Sequence, residues 1–334
     1  MSNQQLSSRS TCAQALEAFG SALPLTSSRV LVTGATAGIG IDTAAALAAA
    51  GAAVTFTARS DASAAAALEQ ITAIATQLQA TVPKLVALAP HSPLKIDHVV
   101  LDLGSLASVK AGVEAFTSKH PEPLDILINN AGVFGMPHTL SKDGYEMHFA
   151  VNHLGHFLLT SLLLPAVLAS KHKRIVNLSS VSHTTPSTLN FDDLLKRERS
   201  YLALHAYGNS KLCNVYHANE LHRRFHDAQG LSTVSVHPGD MISTSISRQR
   251  LLWRFVFFLA SPFTKSVTQG ASTTVVAALA SESVIPSSSY LIDCKVTPTS
   301  AAARLQEPAV RLWDLSVELV KQYLTPEALA LVSN

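Results

Sequence analysis

Cysteine and charged residues are both scarce in this 334-residue chain. Its three cysteines, Cys12, Cys213 and Cys294, lie far apart in the sequence. This spacing argues against a disulfide framework and a Cys-type zinc site, and we expect a reducing compartment, the cytoplasm. Charged residues make up only 14% of the chain, and the formal net charge is +2. Because the chain lacks a basic field, we expect no nucleic-acid binding.

Long apolar runs are also missing. Residues 1–11 are polar and lack the apolar segment of about 7–15 residues that a secretory signal requires. We find no run of about 20 uncharged apolar residues, the length that a membrane span needs. The nearest candidate, residues 251–260, is short and contains Arg254. What the chain has instead is 47% hydrophobic residues, enough to bury a large core.

Short apolar strands alternate with helical segments from residue 29 onward. Three prolines between Pro83 and Pro93 predict a surface loop within this alternation. The strands are apolar throughout, which indicates burial on both faces. The pattern predicts an α/β fold with a single Rossmann-type doubly wound parallel sheet and helices on both faces. The predicted strands lie at 29–33, 53–57, 98–102, 124–129, 174–179, 233–237 and 289–293, and the helices at 13–19, 39–50, 63–78, 105–120, 145–170, 201–225 and 308–323.

This alternation defines one domain at 28–324, with an N-terminal extension at 1–27 and a C-terminal tail at 325–334. A glycine-rich turn, Thr33-Gly34-Ala-Thr-Ala-Gly38-Ile39-Gly40, joins its first strand to its first helix. Gly34 permits the tight turn, Gly38 lets the backbone approach a pyrophosphate, and Gly40 lets helix and strand pack closely. The helix N-terminus would add N–H groups for phosphate. An ordinary glycine-rich turn is the alternative interpretation.

The end of the second strand bears on the choice between NAD and NADP. The segment Thr57-Ala58-Arg59-Ser60 has no acidic residue to hold a ribose 2′-hydroxyl, and it offers Arg59 for a 2′-phosphate. Asp61 lies close by, and a solvated surface cation is the alternative interpretation of Arg59. The pattern favours NADP(H) and leaves NAD(H) open.

Polar residues also close the third and fourth strands. Asp102 is placed to accept a hydrogen bond from an adenine amino group, or to serve as a helix N-cap partner. The run Asn129-Asn130-Ala131-Gly132 places small residues beside a cofactor. Asn129 is suited to joining neighbouring strands, although a simple turn would have the same composition.

Tyr207 and Lys211 are four residues apart and therefore share one face of a predicted helix. A nearby cation favours the phenolate, so we expect Lys211 to lower the pKa of Tyr207 and make it a general acid–base. This spacing alone is common and is usually an exposed helix pair. Its position after the glycine-rich turn, with Ser179-Ser180 ending the preceding strand, favours the catalytic interpretation.

The combination of these motifs in this order, with Pro238-Gly239 after the sixth strand, resembles the short-chain dehydrogenase/reductase family over residues 28–324. The stretches at 151–160, 210–214, 219–224 and 237–241 are similar to the retinol-dehydrogenase-like branch and to the reductase domain of WW-domain-containing oxidoreductases. Residues 1–27 contain no Trp. We therefore expect no WW module there and carry over no recognition of Pro-rich partners.

The resemblance implies a catalytic role for four residues. Tyr207 would be the acid–base, and Lys211 would be its cationic neighbour and bond the nicotinamide ribose. Ser180, rather than Ser179, would orient the substrate oxygen. Asn152 would hold a water that links Lys211 to solvent.

The resemblance also implies the residues that hold the cofactor. Pro238 and Gly239 would abut the nicotinamide, and Ser243 would contact its carboxamide. Thr36 and Ala37 stand where some NADP-using members carry a basic residue, which leaves Arg59 as the main determinant for a 2′-phosphate. Besides Tyr207 and Lys211, the full set of expected cofactor positions is Gly34, Thr36, Gly38, Ile39, Gly40, Arg59, Asp102, Leu103, Asn130, Ala131, Gly132, Pro238, Gly239 and Ser243.

The expected function is an NADP(H)-dependent oxidoreductase that interconverts a lipophilic carbonyl and its alcohol. The alternative is a non-catalytic nucleotide-binding adaptor on a reductase fold. Residues 251–263 contain five aromatics and predict an apolar lid over the substrate. A buried core helix, a peripheral membrane contact and a homodimer interface remain open for this segment. The 14 histidines show no metal-like spacing with acidic or Cys partners, so we expect no metal.

Overall fold

A mostly parallel sheet forms the centre of the fold. The structure is a computed structural model and describes residues 6–19, 25–88, 93–195, 201–239 and 265–333. Within these residues the sheet has eight strands in the order β3-β2-β1-β4-β5-β6-β7-β8, and only the β7–β8 pair is antiparallel. The strands are β1 (Arg29–Val32), β2 (Ala53–Ala58), β3 (Lys95–Val100), β4 (Ile126–Asn129), β5 (Arg174–Leu178), β6 (Ser232–His237), β7 (Ser289–Ile292) and β8 (Lys295–Val296).

Helices connect the strands and cover the sheet. They are α1 (Cys12–Phe19), α2 (Ile39–Ala49), α3 (Asp61–Thr81), α4 (Pro83–Leu88), α5 (Leu106–Lys119), α6 (Met147–Leu168), α7 (Phe191–Leu194), α8 (Ala203–Gln229), α9 (Val267–Leu279), α10 (Gln306–Val320) and α11 (Pro326–Val332). Short 3₁₀ turns lie at Leu25–Ser27, Val181–Thr184, Ala302–Arg304 and Lys321–Tyr323.

The sheet separates two hydrophobic cores. Val30 and Val32 of β1 belong to the core beneath α2, α3 and α9, whereas Leu31 between them belongs to the core beneath α5, α6 and α8. Ile175 and Val176 of β5 divide between the two cores in the same way. Successive strand residues point to opposite faces, so a strand buried on both faces must be apolar throughout. The predicted doubly wound fold is confirmed.

Several boundaries differ by a few residues from the sequence predictions, and two of the differences bear on the argument. The segment from Pro83 to Pro93, predicted as a surface loop, begins with the short helix α4, in which Pro83 takes the first position. Proline is tolerated there because a first-turn N–H has no intrahelical partner. Strand β3 begins at Lys95 and ends at Val100, so Asp102 follows the strand instead of closing it.

Helix α9 and strand β8 are not predicted by the sequence pattern. Every residue from Gly270 to Ala280 is buried, so α9 has no polar face and its sequence shows no amphipathic period. Strand β8 is only two residues long and is joined to β7 by a two-residue turn. Both turn residues, Asp293 and Cys294, have positive φ, 54° and 63°, as a type I′ turn requires.

Helix α6 contains a turn of π-helix at Ala150–Leu154. By length and composition α6 could cross a membrane, whereas we expect no such segment from the sequence. In its most apolar window, however, 78% is buried inside the protein, as in a core helix. The π turn widens the helix at Asn152 and His153, a device that is frequent at functional sites.

The two terminal segments pack against the predicted domain. In α1, the Cys12 backbone N–H donates to Thr268 Oγ1 of α9, and the Cys12 side chain is buried. At the other end, Trp313 Nε1 of α10 donates to the Val332 carbonyl of α11. The domain limits at 28 and 324 remain a prediction, and both flanking helices contribute buried side chains to the cores.

Candidate active site

The glycine-rich turn lies where the strand order reverses, between the carboxyl ends of β1 and β4. Gly34 has φ 69°, and a Cβ at this position would lie 2.7 Å from the Ala131 Cα. A Cβ at Gly40 would lie 2.5 Å from the Gly34 carbonyl oxygen. Only glycine fits at both places, so the turn, the start of α2 and the loop after β4 approach one another through bare backbone.

The start of α2 has no side-chain cap at Gly38, which has φ 59°. By contrast, Ser60 caps α3, Ser105 caps α5 and Ser266 caps α9. The first-turn N–H groups of a helix need a partner, and a dinucleotide phosphate supplies one. Thr36, Gly38, Ile39 and Gly40 therefore lie where the sequence predicts a phosphate cradle, and this backbone fits the group.

Thr33, at the start of the glycine-rich turn, is hydrogen-bonded to the loop after β4. Its Oγ1 accepts the backbone N–H of Asn130 at 2.8 Å and that of Ala131 at 2.9 Å. The Asn130 side chain donates in return to the Thr33 carbonyl at 2.7 Å. As predicted, Asn129 joins neighbouring strands, because its Nδ2 donates to Asn177 Oδ1 of β5 at 2.8 Å.

Ser180, Tyr207 and Lys211 converge at the carboxyl ends of β4 and β5. The Ser180 side chain lies close enough to the Tyr207 phenol to lower its pKa, and Lys211 Nζ lies 5.5 Å from the centre of the Tyr207 ring. Lys211 Nζ also donates to the Leu178 carbonyl at 3.0 Å. Ser179 turns away instead, and its hydroxyl donates to the Lys211 carbonyl at 2.8 Å. The geometry thus brings Ser180, and not Ser179, to the phenol.

The charge state of this pair differs from the expectation. Burial raises the pKa of Tyr207 to about 12, and the Ser180 hydrogen bond lowers it only partly. Burial also lowers the pKa of Lys211 to about 8. The expectation that Lys211 would bring the pKa of Tyr207 below its ordinary value is therefore wrong for this structure, because burial raises that pKa and only Ser180 opposes the shift. The phenol is held protonated, in the form that donates a proton.

Asn152 lies in the π turn and is fully buried. Its Oδ1 accepts the Val133 N–H at 2.7 Å, and its Nδ2 donates to the Val133 carbonyl at 3.0 Å and to Ser210 Oγ at 2.9 Å. A Cβ added at Gly132 would lie 3.3 Å from Asn152 Oδ1 and 3.5 Å from Lys211 Nζ. Asn152, Gly132 and Lys211 therefore meet at one point, and the expected water between Asn152 and Lys211 stays a prediction.

The adenosine end of the crevice is lined by β2 and β3. Arg59 follows β2 and is exposed, and its side chain has no hydrogen-bond or ion-pair partner within the described ranges. The nearby Asp61 places one carboxylate oxygen 3.1 Å from His98 Nε2 and is itself mostly exposed. This arrangement leaves the guanidinium available to an anionic group.

Asp102 serves the turn that leads into α5. Its Oδ1 accepts the Gly104 N–H at 2.9 Å, and its Oδ2 lies 3.4 Å from Lys142 Nζ. Ser105, not Asp102, is the N-cap of α5. Leu103, the next residue, is buried. The Asp102 carboxylate is still about one-third exposed, so it can accept a further hydrogen bond.

Pro238 and Gly239 follow β6 and are half-buried. Gly239 has φ 122°, and a Cβ there would collide with the Lys265 side chain at 2.5 Å. Lys265 in turn is paired with Asp293 of the β7–β8 turn. Ser243 and the segment 251–263 lie outside the described residues.

Several residues around the site are missed by sequence reasoning. Phe134 packs edge-on against Tyr207 with ring centres 4.8 Å apart. His148 also faces the Tyr207 ring, and its Nδ1 lies 2.7 Å from Glu146 Oε1, which accepts the Tyr201 hydroxyl at 3.0 Å. Burial alone would raise the pKa of Glu146, but the hydrogen bonds from His148 and from backbone N–H groups outweigh it and lower the pKa.

His183 contacts the backbone of Ser180 and is also missed by sequence reasoning. Its Nδ1 lies 2.7 Å from the Ser180 carbonyl, and its Nε2 accepts the Ser300 N–H at 3.2 Å. Burial lowers the pKa of His183. Within the described ranges, no group of three or more His, Cys, Asp or Glu could hold a metal ion.

The sequence is similar to known short-chain dehydrogenases over most of its length. A family model described as short chain dehydrogenase matches residues 28–191. Retinol dehydrogenase 12 of Mus musculus is 40% identical over 291 residues, which cover 87% of this chain and 85% of that protein. WW domain-containing oxidoreductase of Gallus gallus is 39% identical over 301 residues, covering 88% of this chain and 68% of that protein.

Solved structures show the same fold. An uncharacterized protein from Mycobacterium paratuberculosis is 30% identical with a TM-score of 0.68, covering 91% of this chain and 97% of the other. Levodione reductase, at 19% identity and a TM-score of 0.58, covers 79% of this chain and 95% of its own and shares the fold alone.

Proposed function

Because the chain belongs to the short-chain dehydrogenase family, in its retinol-dehydrogenase-like branch, we propose that it uses NADP(H) to interconvert a lipophilic carbonyl and its alcohol, with Tyr207 as the acid–base. The family makes the chain an oxidoreductase that acts on CH–OH groups with a nicotinamide dinucleotide. The observation that carries the finer proposal is the convergence of Ser180, Tyr207 and Lys211 beside Gly132.

The three side chains divide the proton chemistry among them. A bound nicotinamide supplies the hydride for reduction and accepts it in oxidation. Tyr207 donates its phenolic proton to the carbonyl oxygen of the substrate, and Ser180 holds that oxygen with a second hydrogen bond. Lys211, whose ammonium lies 5.5 Å from the centre of the Tyr207 ring, would favour the phenolate that remains. Burial raises the pKa of the phenol, so at neutral pH Tyr207 is in the form that donates a proton to a carbonyl oxygen.

The preference for NADP(H) is supported by Arg59. An exposed guanidinium at the end of β2, with no described partner, is suited to bidentate bonds with a 2′-phosphate. Asp61, which would favour a ribose hydroxyl, follows Arg59 by two residues and has one carboxylate oxygen beside His98. The missing basic residue at Thr36-Ala37 keeps NAD(H) as the alternative cofactor.

A lipophilic substrate is supported by composition and by similarity. Residues 251–263 contain Trp253, Phe255, Phe257, Phe258 and Phe263, and aromatics are only 6% of the whole chain. Ligand pockets are mostly apolar with few polar groups. Relatives of this chain are retinol dehydrogenases by name, and a long apolar alcohol or aldehyde fits such a lining. The substitution Phe257→Ser tests this point, because a lid predicts a selective loss of kcat/KM for long apolar carbonyls over short polar ones.

The catalytic assignment is tested by Tyr207→Phe. This change removes only the acid–base hydroxyl, so we expect turnover to fall by about 10²–10⁴-fold or more while NADPH binding persists. Tyr216→Phe is the matched control, because Tyr216 lies on the same helix and its hydroxyl bonds the Ala302 carbonyl away from the site. Near-normal kcat in Tyr207→Phe would contradict the assignment. A wild-type protein that binds NADPH and reduces no carbonyl would favour the non-catalytic adaptor.

A further inference from the structure

His156 lies on α6 one turn after Asn152 and bridges the two halves of the candidate site. It is buried, at 2% exposure. Its Nε2 is 2.8 Å from Thr33 Oγ1 at the end of β1, and its Nδ1 is 3.0 Å from the Asn152 carbonyl oxygen in the π turn. One imidazole thus joins the cofactor cradle to the turn that holds Asn152 beside Lys211.

The hydrogen bonds around Thr33 determine which nitrogen of His156 carries the proton. The Thr33 hydroxyl already accepts two N–H groups, from Asn130 and Ala131, which use both of its lone pairs. Its own hydrogen must therefore be donated. The acceptors within reach are His156 Nε2 at 2.8 Å and the Ile128 carbonyl at 3.4 Å, so the imidazole is the better partner.

The other side of the ring agrees with this assignment. The partner of Nδ1 is the Asn152 carbonyl, which can only accept, so Nδ1 must carry the hydrogen. His156 is therefore neutral, with an unprotonated Nε2 and a protonated Nδ1. A second proton on Nε2 would face a hydroxyl whose lone pairs are both occupied, and it would disrupt the bonds that Thr33 makes to the loop after β4.

We propose that His156 is a positioning residue for the reaction, which as the neutral Nδ1–H tautomer fixes the Thr33 hydroxyl and the Asn152 carbonyl together. The proposal rests on the function proposed above, since it assigns a supporting role to the same site. Fixing Thr33 orients the backbone of Asn130 and Ala131 toward the cofactor. Fixing the π turn holds Asn152 against Gly132 and Lys211.

His153 provides a control for the ordinary structural role of a buried histidine. It lies on the same helix three residues earlier, is 1% exposed, and bonds Ser316 of α10 rather than any part of the site. A His153→Leu variant should be less stable than the wild-type protein and should bind NADPH with unchanged affinity. A His156→Leu variant should lose both stability and cofactor binding if the proposal holds.

The decisive comparison uses three variants, measured well below their melting temperatures. In His156→Leu the acceptor for Thr33 is gone, and we expect the Kd for NADPH to rise about 10-fold or more and kcat to fall as well. In His156→Gln the side-chain Oε1 can occupy the position of Nε2 and accept from Thr33, so NADPH binding should recover to within a few-fold of wild type. His153→Leu should keep the wild-type Kd.

Two further measurements make the outcome independent of any one variant. If His156→Leu does not fold, Thr33→Val removes the same bond from the other side and should weaken NADPH binding, while Thr33→Ser keeps the hydroxyl and should not. In the wild-type protein, ¹⁵N NMR at neutral pH should show His156 protonated at Nδ1 and bare at Nε2.

The proposal is overturned by unchanged NADPH affinity in His156→Leu or in Thr33→Val. It is also overturned if His153→Leu and His156→Leu weaken binding equally and glutamine gives no recovery, or if NMR finds the Nε2–H tautomer or an imidazolium. Because NADPH binding is measured without turnover, these outcomes stay distinct from a failure of the proposed catalytic function, which would appear as a wild-type protein that binds NADPH and reduces nothing.

Discussion

Mild acid should destabilise this protein, because buried histidines must remain neutral in the folded state. Burial lowers the pKa of His153 to about 3 and that of His156 to about 4, and His217, packed beside them, is also shifted well below its ordinary value. In the unfolded chain each has a pKa near 6.5. Below about pH 6.5 the unfolded state therefore binds more protons, and the free energy of unfolding falls as the pH falls.

The magnitude follows from the two shifts that have values. At pH 5, His153 and His156 are almost fully protonated in the unfolded chain and almost fully neutral in the folded protein. Each histidine therefore lowers the free energy of unfolding by about 2 kcal/mol between pH 7 and pH 5. Asp42 acts in the opposite direction, because burial raises its pKa to about 6 and the folded state takes up its proton first. Proton uptake by Asp42 raises the free energy of unfolding by about 1 kcal/mol, so the net decrease between pH 7 and pH 5 is about 3 kcal/mol. His217 adds to the loss.

Urea unfolding at pH 7, 6 and 5, followed by circular dichroism, measures this loss directly. A drop of about 3 kcal/mol is a large part of the stability of an ordinary domain. In His153→Leu the drop between pH 7 and pH 5 should shrink by about 2 kcal/mol, because one titrating group is gone. His205→Gln, an exposed position on α8, should leave the drop unchanged. A stability that is flat or rises toward pH 5, or a drop that His153→Leu does not reduce, would refute the reasoning.

Three further substitutions test the site. Arg59→Ala should weaken NADP(H) binding by about 1.5–3 kcal/mol and NAD(H) binding far less, because only NADP(H) carries a 2′-phosphate; equal losses in calorimetry would argue against this role. Gly40→Ala should abolish cofactor binding or folding, since its Cβ would lie 2.5 Å from the Gly34 carbonyl oxygen; a variant with wild-type Tm and NADPH affinity would contradict that geometry. Asn129→Leu should lower the free energy of unfolding by about 1–3 kcal/mol in urea titrations, because Asn177 loses its partner; no change would show that this bond contributes little.

The sheet was predictable because its strands contribute residues to both hydrophobic cores and are therefore apolar throughout. Most of the helices were predictable from the segments between these strands. Strands such as β1 and β5 are short and continuously apolar, which only a strand buried on both faces requires. Helix α9 gave no comparable signal, because a helix buried on every side carries no polar stripe. The turn at Asp293 and Cys294 was unpredictable for another reason, since neither residue type by itself indicates two successive positive φ values.

The main members of the candidate site were predictable because they stand at strand ends or at helical spacing. Ser180, Tyr207 and Lys211 meet as the sequence predicts. The pKa of Tyr207 was predicted in the wrong direction, since the sequence shows the neighbouring Lys211 and not the depth of burial. The role of His156 was not visible either, because its partner Thr33 lies 123 residues away in sequence.

The supporting layer around Tyr207 was unpredictable for the same reason as His156. Glu146 and His148 are two residues apart, which on a helix is not a facing pair, and the structure brings them together only because Glu146 precedes the first turn of α6. Tyr201 joins them from a segment that is distant in sequence. Such contacts depend on tertiary packing, which local patterns do not encode.

The most direct test of the central claim follows a labelled hydride. Wild-type protein and Tyr207→Phe are each incubated with NADPH carrying deuterium at both C4 positions of the nicotinamide and with a long apolar aldehyde, and the alcohol is analysed by mass spectrometry. With Tyr207 as the acid–base, we expect one deuterium on the carbinol carbon with the wild-type protein and almost no alcohol with Tyr207→Phe, although both bind NADPH. Undeuterated alcohol, or deuterated alcohol formed at similar rates by both proteins, would contradict this role.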